Sequence, residues 1–266
     1  MSWALIAGGS KGIGYYIAEA LARRGYNLIL VARNQEELAT SKTKLENNLH
    51  IQVEILSYDL SLTTSAMEIA SFCGNKSLAL NILCNAAGMG GAKDYLKLPP
   101  DDLRNMVRVN IESPMSLTLA LLPILQKNNP SYILNIGSIA GFAPIPSKNI
   151  YSATKSALIF FSYSLQYQLE EKNISVSCLC PGPIFTKPAI EEETVKKLGW
   201  LGKQMAVQPE VTGEIAVRNM LKRKLIIVPG KLATMISFIL RMLPARLLAC
   251  IFYQFGKKEM NHSAPE

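Results

Sequence analysis

Short apolar runs and amphipathic stretches alternate along the whole chain. Trp3–Ala7, Asn27–Ala32, Ile51–Ser57, Leu78–Cys84, Tyr132–Ile136, Ile174–Cys180 and Leu225–Val228 are too short for core helices. Their aliphatic character suits strands buried on both faces. Between them lie segments of helical period: one that stops at Gly25, then Gln35–Asn47, Pro100–Lys127, the stretch carrying Tyr151 and Lys155, and Pro209–Arg223. This order predicts βα units and hence an α/β fold, a doubly wound parallel sheet with helices on both faces.

Composition narrows the class. The chain has 266 residues, 49% hydrophobic and 18% charged, which suits one α/β domain with a full core. Residues 1–230 are read as that domain, and 231–266 as a C-terminal extension of apolar helices followed by a disordered tail. Met1-Ser-Trp-Ala-Leu-Ile-Ala enters a strand at once, so a cytoplasmic protein is expected. Five cysteines form no C-x-x-C and there are two histidines, so neither a zinc site nor a disulfide framework is indicated. Cys84, Cys178 and Cys180 lie in apolar runs and read as core thiols.

The net charge of +8 is concentrated. Eight basic residues and no acidic one lie between Lys222 and Lys258. No helix-turn-helix, zinc finger or aromatic ribonucleoprotein motif accompanies them, so nucleic acid is not an expected partner.

Candidate chemistry begins at Gly8-Gly9-Ser10-Lys11-Gly12-Ile13-Gly14, between the first strand and its helix. Such a loop lets backbone amides approach a pyrophosphate at a helix N-terminus, although a tight turn alone can demand glycine. After the second strand, where an acidic residue would bond a ribose 2′-hydroxyl, stand Ala32 and Arg33. Arg33, with Lys11 nearby, favours a 2′-phosphate and thus NADP(H) over NAD(H); the bland alternative is two solvated cations. Tyr58-Asp59-Leu60 follows the third strand, and Asp59 either accepts from an adenine amine or caps the next helix. Asn85-Ala86-Ala87-Gly88, after the fourth, leaves room for a cofactor against the backbone. Asn110 sits among apolar neighbours and must bond to backbone or hold a water.

Tyr151 and Lys155 are one helical turn apart, so the ammonium is expected beside the phenol, favouring its ionised form. Ser138 ends the fifth strand, where ligands of open parallel sheets collect. The competing readings are an ordinary amphipathic surface and turn chemistry. Pro181-Gly182-Pro183-Ile184-Phe185-Thr186 breaks the chain after the sixth strand, and 187–208 reads as a substrate-covering segment.

In this order these motifs resemble the short-chain dehydrogenase/reductase family over roughly residues 1–230. Ala7–Gly14 matches T-G-x-x-x-G-x-G with Ala7 for threonine, and Asn85–Gly88 matches N-N-A-G with Ala86 for the second asparagine. The resemblance implies strand order 3-2-1-4-5-6-7 and hydride transfer between a nicotinamide and a carbonyl or alcohol. It implies a catalytic set of Asn110, Ser138, Tyr151 and Lys155, in which Ser138 holds the substrate oxygen and Tyr151 gives it a proton. Lys155 would lower the tyrosine pKa and bond the nicotinamide ribose, and Asn110 would anchor a proton-relaying water. Pro181, Gly182, Ile184 and Thr186 would lie along the nicotinamide. The two alanines remove side-chain bonds that brace the central strands.

The expected activity is NADPH-dependent reduction of a lipophilic ketone or 3-oxoacyl substrate. The rival is a catalytically silent nucleotide-binding regulator or scaffold on the same fold. Surplus apolar residues on the Tyr151 helix (Leu158, Phe160, Phe161, Tyr163, Leu165, Tyr167) predict a homodimer or homotetramer. The apolar pieces 232–240 and 247–252, broken near Pro244, either wall the substrate pocket or dock, with the basic residues of 222–258, on a membrane surface or an acyl carrier protein.

Overall fold

The computed structural model describes residues 2–90, 95–185 and 204–261. Seven parallel strands form one sheet among them, in the order β3-β2-β1-β4-β5-β6-β7. The strands are β1 (Trp3–Ala7), β2 (Asn27–Ala32), β3 (Val53–Ser57), β4 (Leu80–Asn85), β5 (Ser131–Ile136), β6 (Ile174–Leu179) and β7 (Ile226–Ile227). The helices are α1 (Gly12–Ala22), α2 (Gln35–Leu49), α3 (Ser65–Asn75), α4 (Pro100–Val107), α5 (Ser113–Lys127) and α6 (Asn149–Leu169). After β6 come α7 (Pro209–Leu221), α8 (Lys231–Met242) and α9 (Ala245–Asn261). Strand order runs outward in opposite senses from β1 and β4, which places the loops after both strands over the crevice where open α/β sheets bind ligands.

The period of two along each strand divides the core. Ala4, Ile6, Leu28 and Leu30 face one way and pack with Ile17, Leu21, Leu38, Val217 and Met220 of α1, α2 and α7. Leu5, Ile29, Val31, Leu83, Ile133 and Val176 face the other way, onto Ile69, Leu117, Leu121 and Leu169 of α3, α5 and α6. With both faces covered, each strand can be almost wholly apolar.

Several boundaries differ from the sequence reading for identifiable reasons. The third strand begins at Val53 rather than Ile51, because side chains take the preceding amides: Gln52 N–H donates to Asn27 Oδ1 at 2.9 Å and Val53 N–H to Glu46 Oε1 at 2.9 Å. The fourth begins two residues late, after Ser77 turns the chain at φ 49°. The expected long helix from Pro100 to Lys127 contains a π turn at Arg108–Glu112. Pro114 has no N–H to give the Asn110 carbonyl, and Ser113 N–H bonds Arg108 O, one residue further back than an α-helix allows. The apolar C-terminal pieces form α8 and α9, joined at Leu243-Pro244. Residues 187–203 of the expected covering segment, and the last five residues, lie outside the described residues.

Candidate active site

The loop after β1 is held against the loop after β4. A Cβ on Gly8 would come within 2.5 Å of Ala87 N, and one on Gly14 within 2.1 Å of Gly8 O, so both positions require glycine for close backbone approach. Ala86 N–H donates to Ala7 O at 2.8 Å, joining the two loops across the crevice. Gly12 and Ile13 open α1, so the N-terminal amides of that helix lie at the loop.

Lys11 and Arg33 differ in their surroundings. Lys11 Nζ is paired with Glu37 Oε1 at 2.7 Å, and Ser10 Oγ donates to the other carboxylate oxygen at 3.3 Å. Sequence reasoning missed this carboxylate, although Glu37 lies only four residues past Arg33 on the helix that Asn34 caps. Asp59 accepts from Ser61 N–H at 2.9 Å, and that bond, with Arg33's charge contributing, holds its carboxyl below the usual range. This is a local turn and not the expected helix cap, since α3 begins at Ser65 with Thr64 at its N-cap. Leu60 beside it is buried.

Asn85 points into the core rather than the crevice. Its Nδ2 donates to Asn135 Oδ1 at 2.8 Å and to Thr118 Oγ1 at 3.3 Å, while Asn135 Nδ2 donates to Ser162 Oγ at 2.9 Å. This polar chain ties β4 to β5, α5 and α6. It braces the central strands where the alanines in the flanking motifs offer no side-chain bond. Ala87 and Gly88 leave their backbone facing the site, and Cβ on Gly88 would lie 3.5 Å from both Asn110 Oδ1 and Lys155 Nζ.

Asn110 occupies the π turn and is 1% exposed. Its Oδ1 accepts from Met89 N–H at 2.7 Å, while Nδ2 donates to Met89 O at 2.9 Å and to Thr154 Oγ1 at 3.0 Å. Backbone bonding is therefore the choice it makes among the described residues. The amide clamps the β4 loop to α6 and leaves one Oδ1 lone pair for a further donor. Thr154, which completes the clamp, also donates to Tyr151 O at 2.8 Å. It carried no sequence signal beyond lying between Tyr151 and Lys155.

Ser138, Tyr151 and Lys155 meet at the carboxyl end of β5. Ser138 Oγ accepts from Ala140 N–H at 3.1 Å as the cap of a short 3₁₀ turn, and lies close enough to the Tyr151 phenol to favour its ionised form. The expected Lys155–phenol pairing takes a different form. Lys155 is 4% exposed, and its Nζ donates to Ile136 O at 2.6 Å, lying 5.8 Å from the Tyr151 ring centroid. Burial dominates both groups. It raises the Tyr151 pKa against the opposing influence of the Ser138 hydroxyl, and lowers that of Lys155 to about 8. Cys178 and Cys180, buried with sulfurs 3.7 Å apart, face the same region and favour the charged form of Lys155. That role was not legible in two thiols of an apolar strand.

Pro181 closes the site by accepting at its carbonyl from Ile139 N–H at 3.1 Å. Gly182 lies against Met205 and against Ala233 of α8, and Ile184 is half-buried. Thr186 lies outside the described residues.

The arrangement thus comprises a glycine-bounded crevice over β1 and β4, a neighbouring serine and tyrosine at the end of β5, and a buried amine beneath them. Comparison with known proteins agrees with it. The very-long-chain 3-oxoacyl-CoA reductase of Mus musculus is 32% identical over 200 residues, covering 73% of this chain and 64% of that protein. The chain therefore spans just under two thirds of that relative's length. A short-chain dehydrogenase from Sphingobium yanoikuyae, solved with NADPH, superposes with a TM-score of 0.79 at 23% identity over 100% of this chain and 97% of its own. An alcohol dehydrogenase from the archaeon Thermococcus sibiricus, solved with 5-hydroxy-NADP, gives 0.73 at 26% identity over 86% of this chain and 95% of its own. The family model for short chain dehydrogenase matches residues 2–197, and the chain belongs to that family.

Proposed function

We propose that this chain is an NADP(H)-dependent oxidoreductase that reduces the carbonyl of a lipophilic ketone or 3-oxoacyl substrate. The observation that carries the reading is the convergence of Ser138 and Tyr151 above buried Lys155 at the ligand-binding edge of the sheet. The names of the mouse and Thermococcus relatives support the substrate class and the cofactor.

The residues present fit a dinucleotide. The close approach of Gly8, Gly14 and Ala87 leaves backbone, not side chains, along the crevice, and Lys155 retains ammonium donors beyond the one given to Ile136. Ser10–Gly14 would hold the pyrophosphate, Arg33 and Lys11 the 2′-phosphate, and Asp59–Leu60 the adenine side. Ala86–Gly88, Lys155 and the Pro181–Ile184 turn, continuing to Thr186, would hold the nicotinamide side. When bound, the cofactor supplies the hydride.

The chain's own groups supply the rest. Ser138 Oγ orients the substrate carbonyl oxygen, and Tyr151 Oη donates a proton to that oxygen as negative charge develops. Lys155 stabilises the resulting phenolate by its charge. Asn110 keeps the β4 loop and α6 in register so that these groups converge. A panel of ketones and 3-oxoacyl thioesters, assayed with NADPH and with NADH, tests the proposal. Carbonyl-dependent oxidation of NADPH is expected. Nucleotide binding without turnover on any member would favour the silent regulator.

A second observation concerns surfaces. Among the described residues no helix is long and apolar enough to cross a membrane. Yet Met235, Phe238 and Met242 of α8 and Leu247, Tyr253 and Phe255 of α9 are exposed, in a stretch without acidic residues from 215 to 258. We infer peripheral docking of a cytoplasmic enzyme on an anionic membrane surface. Exposed Leu119 of α5 and Tyr167 of α6 support a homodimer through these helices.

A further inference from the structure

A cleft of about 580 Å³ separates the outer side of α6 from the C-terminal helices. Phe142, Ile145, Phe160, Leu243 and Leu248 give it apolar walls, and Arg241 stands among them. Ser138, Tyr151 and Lys155 do not line it. At about 100° per residue, Ser152, Ser156 and Tyr163, which do line it, lie roughly 100° around α6 from Tyr151, Lys155 and Ser162. The cleft is therefore separate from the proposed reduction centre, and its size falls within the roughly 300–1,000 Å³ usual for small-molecule sites.

Arg241 gives the cleft a chemical preference. Its Nε donates to Ser237 O at 3.2 Å, and its guanidinium carbon lies 5.3 Å from the centre of the Phe142 ring. The side chain is thus held from two sides. No carboxylate among the described residues pairs with it, and no acidic residue occurs from 215 to 258. A planar cation fixed at an apolar cleft matches an anion carrying a hydrocarbon chain. We propose that this cleft binds a long-chain fatty carboxylate, its hydrocarbon between α6 and α8–α9 and its carboxylate on Arg241.

The test needs no turnover and is independent of the reductase reading. The full chain is titrated with a fluorescent polyene fatty acid below its micellar concentration, and in parallel with its methyl ester. Saturable binding is expected, with the ester about tenfold weaker, because a partly screened charge-assisted contact is lost. Arg241→Gln should abolish the preference for the acid while leaving ester binding in place. Ala249→Trp and Ala245→Trp should each fill the cleft and weaken both ligands, with the thermal unfolding midpoint as the check on folding. Equal affinity for acid and ester overturns the proposal, as does wild-type binding in both folded tryptophan variants. If the wild-type chain takes up no fatty acid and Ala249→Trp lowers its sedimentation coefficient, a second copy fills the cleft and the proposal fails.

Discussion

The Lys155 ammonium donates to the carbonyl of Ile136 at 2.6 Å, and the strand that ends there carries Ser138 just beyond it. Helix α6 is thereby fastened to β5 beside the two hydroxyls proposed to share a substrate oxygen. Charge at Lys155 thus affects both the packing of the sheet edge and the electrostatics of the phenol.

That coupling sets a pH dependence. Burial lowers the folded Lys155 pKa to about 8, against about 10.4 in an unfolded chain. Between those values the unfolded state binds the extra proton, so stability rises with pH. Below about 8 both states are protonated and the burial penalty is fully present. Unfolding free energies at pH 7.5 and 9.5 should therefore show the wild-type chain gaining on Lys155→Met, a difference that cancels the opposing titration of tyrosines and cysteines. A pH-independent difference would contradict the assignment.

Tyr151→Phe removes the proposed proton donor and keeps the ring that lies beside Gly90. Turnover on a verified carbonyl substrate should fall by about 10²–10⁴-fold, the usual contribution of general acid catalysis. Nucleotide affinity should change little, as measured by fluorescence titration. Near-native turnover would remove Tyr151 from the mechanism.

Glu37 competes for the cation expected to meet a 2′-phosphate, since it holds Lys11 at 2.7 Å. Glu37→Gln should therefore raise NADPH affinity severalfold and leave NADH affinity nearly unchanged. Arg33→Ala should lower NADPH affinity by about tenfold, given the exposure of the contact. Calorimetric titration of both nucleotides distinguishes this from two solvated surface cations, for which neither substitution would matter.

Asn110→Ala strands the Met89 N–H and carbonyl at once. The cost should be about 1–3 kcal/mol in denaturant unfolding, with Thr154→Val costing less because one of its two bonds is local to α6 and the Met89 groups keep theirs. Turnover should fall in both, more in Asn110→Ala. An unchanged rate in the folded Asn110→Ala variant would limit Asn110 to stability.

Docking through α8 and α9 predicts cosedimentation with anionic vesicles, weakened by salt and absent with neutral ones. Phe238→Ser with Leu247→Ser should reduce it while reductase activity on a short substrate persists. Binding to an acyl carrier protein but to no vesicle would replace the membrane with a protein partner.

Much of the scaffold was legible because parallel strands covered on both faces must be nearly continuous apolar runs. Trp3–Ala7 and Asn27–Ala32 were read to the residue. The positions of Ser138, Tyr151 and Lys155 followed from a strand end and a helical turn. Partner choice was less legible. Spacing put Lys155 near Tyr151, but the competing Ile136 carbonyl belongs to a strand whose distance from α6 only packing sets. Glu37 was overlooked because it sits in a polar helix with several other charged residues and nothing in its spacing sets it apart. Asn85, grouped by its motif with a cofactor loop, turns inward because Asn135 lies beside it in the register of β4 and β5.

The π turn at Arg108–Glu112 makes this helical stretch sensitive to chain length in a way that substitutions would not reveal. A π turn is one residue more than an α-helix needs, so deleting a single residue there, such as Val109, would let the helix close into ordinary geometry. The halves on either side would keep nearly their present facing, because the wide turn absorbs its extra residue within itself. Met106 of α4 and Leu117 and Leu121 of α5 would stay on their footing, while Asn110 would lose the turn that carries it to Met89. A Val109 deletion should therefore fold and yet fail in the site, where side-chain replacements at exposed Arg108 are harmless.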